Sequence, residues 1–179
     1  MKFRETILKG AYIIEIETIN DGRGFFARSF CQREFEQIGL NADIVQCNLS
    51  YNRHKGTLRG MHFQKKPFEE VKLVHCTKGA IYDVIIDLRI DSPHYCRWFS
   101  IILRENENRM LYIPEGFAHG FQTLENDTCI FYQMSEFYQQ ESASGVRWND
   151  PCFSIEWPII NNIIISDKDM SYPDFIPNK

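Results

Sequence analysis

Three short blocks of the sequence combine residue types that can transfer protons or bind anions. The first block contains Arg59 and His62, the second begins at Lys72, and the third contains His119. Histidine titrates near neutral pH and can act as a base, whereas lysine and arginine donate hydrogen bonds to oxyanions. Each residue alone has an ordinary structural explanation, since single histidines in strands are often structural and lysines beside apolar runs are usually solvated. Their combination favours a functional site.

The spacing within the first block constrains the backbone. Arg59 and His62 are three residues apart, which in a regular strand places their side chains on opposite faces. Gly56 and Gly60 lie next to this pair, and glycines permit a bulge or bend that would bring both side chains to one face. Lys72 opens an apolar segment whose interior positions are otherwise Val and Leu.

Strand-like segments that could position these residues run along the whole chain. The clearest is Ala80–Arg89, where apolar residues recur at every second position while Asp83 and Asp87 interrupt the other face. Similar segments are Tyr12–Glu17, Lys72–Thr77, Trp98–Leu103, Arg109–Ile113, Gly120–Leu124 and Thr128–Met134. Short helices are predicted at Gln32–Ile38 and Asp167–Met170. Many short strands with few helices predict an all-β fold, either a closed barrel or a sandwich.

Composition limits the class of protein. The chain has 179 residues, of which 44% are hydrophobic, and this suits a single domain spanning residues 1–179. A net charge of −4 predicts no general attraction to nucleic acid, and no apolar run approaches the length of a membrane span. The six cysteines are scattered without a CxxC pair, and the N-terminus lacks a signal-peptide pattern. A reducing cytoplasm is therefore expected.

At this point the sequence resembles a known family, the dTDP-4-dehydrorhamnose 3,5-epimerases and their relatives. The resemblance runs from about Ile14 to Pro173 and rests on the blocks LRGMHFQ, KLV, KGAIYDVIIDLR, YIPEGFAHGFQTL, GVRWNDP and ISDKD. It implies a cupin-like jelly-roll barrel, also called a double-stranded β-helix, with a few short helices. It further implies a nucleotide-diphosphosugar substrate, no cofactor, and a homodimer that exchanges N-terminal strands.

The same resemblance assigns four catalytic residues for proton transfer beside a 4-keto group. His62 is the base, and Asp169 is the carboxylate that fixes its tautomer and stabilises the imidazolium. Lys72 stabilises the enolate oxygen. Tyr132 returns a proton from the opposite face of the sugar, because a phenol has a pKa of about 10 and stays protonated at neutral pH.

The resemblance also indicates residues that would bind the nucleotide and the sugar. Arg59 resembles a diphosphate ligand, a role that suits its bidentate guanidinium. Arg23 and Phe26 resemble residues contributed by the partner subunit. The remaining candidates are Gln46, Asn48 and Ser50 as polar contacts, Tyr138 for stacking, Lys168 for phosphate, and His119 as a support that pairs with Asp83.

The sequence predicts no metal at this site. Many cupin-like barrels bind a metal through three histidines and a glutamate, and His62 and His119 are similar to the first and last of these ligands. Gln64 stands where a second histidine would be expected, and Lys72 lies roughly where the glutamate would be. An ammonium group would repel a metal cation, so Lys72 would instead replace the positive charge of the metal.

One position departs from the family pattern. Relatives that act on thymidine nucleotides often carry a glutamate two residues after the position of Phe26, where this chain has Arg28. A guanidinium has only donors and cannot accept a hydrogen bond from the thymine N–H. Cytidine is therefore an alternative to thymidine as the base.

Several functional alternatives stay open from sequence. Relatives epimerise C3, C5 or both, and the residues named above are compatible with the double reaction. A 3,4-ketoisomerase, a catalytically silent sugar-nucleotide-binding module and a metal-dependent dioxygenase are three competing interpretations on the same barrel.

Overall fold

The computed structural model describes residues 1–177. Within them the chain forms thirteen strands and two short helices: β1 (Lys2–Glu5), β2 (Tyr12–Glu15), β3 (Thr18–Asp21), β4 (Gly24–Ala27), α1 (Gln32–Glu36), β5 (Gln46–Asn52), β6 (Leu58–Gln64), β7 (Lys72–Lys78), β8 (Ala80–Asp87), β9 (Trp98–Arg104), β10 (Arg109–Ile113), β11 (Phe117–Thr123), β12 (Thr128–Met134), β13 (Ala143–Gly145) and α2 (Asp167–Met170). No helix in that part of the chain is long and apolar enough to span a membrane.

Most of the strands belong to two antiparallel sheets. The six-stranded sheet has the order β1-β2-β10-β7-β12-β5, and the five-stranded sheet has the order β13-β6-β11-β8-β9. The remaining two strands, β3 and β4, form a separate hairpin. Strands that are neighbours in space are often distant in sequence, as in the jelly roll that the family resemblance implies.

The central strands of both sheets are buried on both faces, which explains their long apolar runs. The core between the sheets includes Val74 and Ile130 from one sheet and Ile85 and Phe121 from the other. The outer face of the five-stranded sheet packs against the C-terminal segment, and the outer face of the six-stranded sheet packs against α1, where Phe35 is buried.

The predicted segments correspond to seven of the thirteen described strands and to both helices, although several predicted bounds differ from the observed ones. The predicted strands Arg109–Ile113 and Thr128–Met134 and the predicted helix Asp167–Met170 have the observed bounds. The helix predicted at Gln32–Ile38 ends at Glu36, because turns follow it, and the strand predicted at Ala80–Arg89 ends at Asp87.

A bulge in β6 brings Arg59 and His62 to the same face. In the pairing of β6 with β11, His119 lies opposite His62 and Phe121 lies opposite Arg59, so two residues of β6 face Gly120 alone. Gly60 has a φ of +129° in this bulge, a conformation that favours glycine. The bend that the sequence suggested is therefore present at Gly60.

Replacing Gly60 with alanine should destabilise the fold strongly. A Cβ atom at Gly60 would lie 2.5 Å from the Cα of Gly120 and 2.9 Å from the carbonyl oxygen of His119, and neither backbone atom can move cheaply. Together with the positive φ, this overlap should lower the free energy of unfolding by at least about 2 kcal/mol. Urea denaturation would measure the loss, with Gly22→Ala as the control because nothing lies within 4 Å of its Cβ position. Equal stability of the two variants would contradict the prediction.

Candidate active site

A cavity of about 670 Å³ lies between the two sheets, and both sheets contribute to its wall. Ten of the predicted site residues line it: Gln46, Asn48, Ser50, Arg59, His62, Lys72, His119, Tyr132, Tyr138 and Lys168. The structure therefore brings together residues that lie more than a hundred positions apart in sequence.

His62 and Asp169 form a hydrogen-bonded pair on the wall made by β6. The Nε2 atom of His62 lies 2.7 Å from Oδ1 of Asp169, and Nδ1 is left as the ring atom that could take a proton. Burial raises the pKa of the Asp169 carboxyl, but the hydrogen bonds from His62, from the backbone N–H of Gly60 and from Ser166 outweigh burial and lower it. Asp169 is thus held as a carboxylate, suited to stabilising a protonated His62.

A second histidine–aspartate pair lies beside the first. The Nε2 atom of His119 is 2.7 Å from Oδ1 of Asp83, and the Asp83 side chain is fully buried. The histidines differ in exposure, since 43% of the His62 side chain is accessible but only 11% of the His119 side chain. His62 is the histidine that a ligand in the cavity reaches more easily.

Lys72 is buried in the cavity wall and is paired with a carboxylate. Its Nζ atom lies 2.6 Å from Oε1 of Glu70, and both side chains are at least about nine-tenths buried. The second oxygen of Glu70 is buried without a hydrogen-bond partner among the described residues. Sequence reasoning missed Glu70, whose only signal was an acidic residue two positions before a lysine at the start of an apolar strand.

Tyr132 faces His62 from the other sheet. It lies on β12 of the six-stranded sheet, next to β7 with Lys72, whereas His62 lies on β6 of the five-stranded sheet. Burial raises the pKa of the Tyr132 phenol above its ordinary value of 10.0, against a smaller opposing effect of Arg59. The phenol therefore keeps its proton at neutral pH and can donate it into the cavity.

Polar side chains from β5 and from the C-terminal segment complete the cavity wall. Gln46, Asn48 and Ser50 alternate with exposed residues along β5 and face the cavity, as the sequence predicted. Tyr172 also lines the cavity, and its ring centroid lies 6.2 Å from that of His62. Tyr172 was missed because nothing in the local sequence distinguishes it from a packing aromatic.

Three predicted residues lie outside this cavity, on or beside the β3–β4 hairpin. Arg23 forms an ion pair with Asp21, Arg28 forms one with Glu34, and Phe26 is 72% exposed. They line no part of the cavity of their own chain.

The position where a metal-binding relative would have a second histidine is structural in this chain. The Gln64 amide donates to the carbonyl oxygens of Phe68 and Phe137 and accepts from the backbone N–H of Gln139. Among residues 1–177, no group of three or more His, Cys, Asp or Glu side chains is arranged to hold a metal ion.

Comparisons with known proteins agree on one family. The model of the family described as dTDP-4-dehydrorhamnose 3,5-epimerase matches residues 5–176. The protein of that name from Methanothermobacter thermautotrophicus is 41% identical over 96% of this chain and 92% of its own.

Solved structures show the same similarity. A crystal structure of dTDP-4-dehydrorhamnose 3,5-epimerase from Bacillus anthracis with TDP and PPi bound has a TM-score of 0.94, with 43% identity over 97% of this chain and 99% of that chain. A 3'-monoepimerase from Streptomyces bikiniensis in complex with dTDP-quinovose has a TM-score of 0.88, with 30% identity over 94% of this chain and 85% of that chain.

Proposed function

Since the chain belongs to the dTDP-4-dehydrorhamnose 3,5-epimerase family, we propose that it inverts C3 and C5 of dTDP-4-dehydro-6-deoxyglucose to give dTDP-4-dehydrorhamnose. The observation that carries this proposal is the placement of His62 and Tyr132 on opposite sheets across one cavity. A sugar ring between them meets a base on one face and a proton donor on the other. Inversion at a carbon requires that arrangement.

The chemistry follows from the 4-keto group, which acidifies the C–H bonds at C3 and C5. His62 removes a proton from one of these carbons, the electron pair of the broken C–H bond forms a C=C bond to C4, and the π pair of the carbonyl moves onto its oxygen. Lys72 donates a hydrogen bond to the resulting enolate oxygen. Tyr132 then gives its proton to the carbon from the opposite face, and solvent restores both groups.

Tyr132→Phe should separate the two proton transfers. Without the phenol, His62 can still remove a proton and return one to the same face, so exchange with solvent continues while inversion slows by about 10²-fold or more. Proton NMR in D₂O would follow deuterium incorporation and the configuration of the product in one sample. Equal loss of exchange and inversion would remove Tyr132 from the acid role. Tyr12→Phe serves as the control, because Tyr12 lies on β2 and lines no part of the cavity.

The experiment that tests the function is incubation of the purified protein with dTDP-4-dehydro-6-deoxyglucose in D₂O. Deuterium at both C3 and C5 would support the proposal. Deuterium at one carbon alone would make the protein a mono-epimerase, like the Streptomyces bikiniensis relative. Movement of the carbonyl to C3 would instead identify a 3,4-ketoisomerase.

The base of the nucleotide is tested by the same assay. We propose thymidine, although Arg28 departs from the family pattern. The Arg28 guanidinium is bound to Glu34 at 2.8 Å, which supports a role in holding α1 rather than in reading a base. If the thymidine substrate shows no deuterium exchange, the cytidine analogue would be assayed next. Binding of either substrate without exchange would favour the binding-module interpretation.

We further propose a homodimer in which the β3–β4 hairpin covers the partner subunit. The hairpin exposes Ile19, Phe25 and Phe26 by 60% or more, and the edge strand β5 exposes Leu49 and Tyr51. An isolated hairpin is marginal, and an open apolar edge favours pairing. Docking of the hairpin onto β5 of a second copy would bring Arg23 and Phe26 towards the cavity of that copy.

Phe26→Asp should therefore weaken the dimer. Sedimentation should show a shift towards monomer, accompanied by weaker binding of dTDP, because a charge replaces a side chain that the partner would bury. Ile160→Asp is the matched control, since Ile160 is 74% exposed and belongs to the C-terminal segment rather than to the hairpin. A wild-type protein that sediments as a monomer would contradict the dimer.

We also propose that the protein acts as one domain in a reducing cytoplasm, without a metal or cofactor. The cysteines of the described chain are all free, which supports a reducing compartment. Stoichiometric iron or zinc in the active protein, lost on mutation of His62 or His119, would revive a metal-dependent dioxygenase.

A further inference from the structure

Asn52 at the end of β5 contacts the side chain of Arg59. Its Oδ1 atom accepts a hydrogen bond from Nε of Arg59 at 2.8 Å. Asn52 is only 2% exposed, whereas Arg59 is exposed at the cavity wall. The buried Asn52 amide therefore binds the Nε atom of an exposed guanidinium, at the end nearest the main chain.

The orientation of the Asn52 amide is fixed by its other hydrogen bonds. Its Nδ2 group lies 3.2 Å from the Ser50 carbonyl oxygen, 3.3 Å from Ser50 Oγ and 3.4 Å from the Thr128 carbonyl oxygen. The two carbonyl oxygens can only accept and the Arg59 Nε–H can only donate, so the amide nitrogen must face the carbonyls and the amide oxygen must face Arg59. A flipped amide would lose these contacts.

The contact leaves the outer part of the Arg59 guanidinium available. Asn52 uses the Nε–H, and no carboxylate lies within ion-pair distance of Arg59 in the part of the chain that the structure describes. The two terminal nitrogens form the fork that binds phosphate oxygens in pairs. A long, exposed arginine would otherwise lose conformational entropy on binding such a group.

We propose that Asn52 is a positioning residue for the diphosphate of the substrate, because it fixes the Arg59 fork in the orientation that binds phosphate. This inference rests on the proposed function, in which Arg59 binds the diphosphate. Asn52 itself does not touch the ligand. Its contribution should therefore appear for ligands with a diphosphate and disappear when Arg59 is absent.

A double-mutant cycle tests this directly. Titration calorimetry would measure dTDP and thymidine binding to the wild type, Asn52→Ala, Arg59→Ala and the double variant. Asn52→Ala should weaken dTDP binding about 10-fold, the usual scale for one hydrogen bond to a charged group, and leave thymidine binding unchanged. On the Arg59→Ala background, Asn52→Ala should change dTDP binding by less than about twofold.

Controls separate the possible failures. Asn106→Ala, in the exposed turn between β9 and β10, should bind dTDP like the wild type. If Asn52→Ala does not fold, Asn52→Ser keeps an acceptor oxygen at the site and should show a smaller loss for dTDP alone. An equal loss with and without Arg59, or a loss for thymidine as well, would overturn the positioning role. Wild-type protein that binds no dTDP would overturn the proposed thymidine substrate and this inference together. If Arg59→Ala weakens dTDP binding but Asn52→Ala does not, only the inference is overturned.

Discussion

Replacing His62 with alanine should abolish deuterium exchange at both C3 and C5 of the substrate. Removal of a general base costs about 10²–10⁴ in rate, and no other base in the cavity has the same access. The affinity for dTDP should stay within about twofold, because His62 would contact the sugar and not the nucleotide. NMR in D₂O measures the exchange, and calorimetry measures the affinity.

The second histidine makes this experiment decisive. His119 has a carboxylate partner at the same 2.7 Å distance, so hydrogen bonding alone does not identify the base. We propose His62 because its side chain is the more exposed of the two. His119→Ala should therefore reduce exchange less than His62→Ala, and His54→Ala, at an exposed position, should leave it unchanged. The reverse order of effects would assign the base role to His119.

Lys72→Met should lower the rate of exchange by about 10²–10³-fold. This is the usual loss when one preorganised donor to an oxyanion is removed. Methionine has a similar length but carries no charge, so the enolate oxygen would form without a cationic partner. Single-turnover exchange measured by NMR would report the loss independently of product release.

The buried partner of Lys72 complicates this variant and also supplies its control. Without Lys72, the Glu70 carboxylate would be buried and uncompensated, and breaking such a pair can destabilise a protein by about 3–5 kcal/mol. The double variant Lys72→Met, Glu70→Gln removes that charge, so it should regain stability in urea denaturation while exchange stays slow. Recovery of exchange along with stability would show that Lys72 acts only through folding.

Short-range patterns in the sequence predicted most of the strands. Alternating apolar residues identify β8, and the glycines of the first block indicate the bulge that places Arg59 beside His62. The pattern could not show which face of β8 points inward. In the structure the face that carries Asp83 turns towards the core between the sheets, where Asp83 contacts His119, while the uninterrupted apolar face packs against the C-terminal segment.

The residues that support the site were harder to predict, because their partners are brought together only by tertiary packing. Asn52 contacts Arg59, and Glu70 contacts Lys72. In the sequence, however, nothing distinguishes Asn52 or Glu70 from an ordinary polar residue. Asp169 and Tyr132 were identified by resemblance alone. Asp169 reaches His62 across 107 positions of the chain, a distance over which residue spacing carries no information.

The late position of Asp169 has a consequence for synthesis of the protein on the ribosome. All the strands of the two sheets lie before residue 146, but the helix that carries Asp169 follows some twenty residues later and is held through the bridge between Thr57 and Ile164 and the Ser166 cap. A nascent chain that has completed its strands therefore has His62, the proposed base, without the carboxylate that contacts it. A chain that ended before α2 would lack the proposed carboxylate partner of His62, so we expect it to be a poor epimerase.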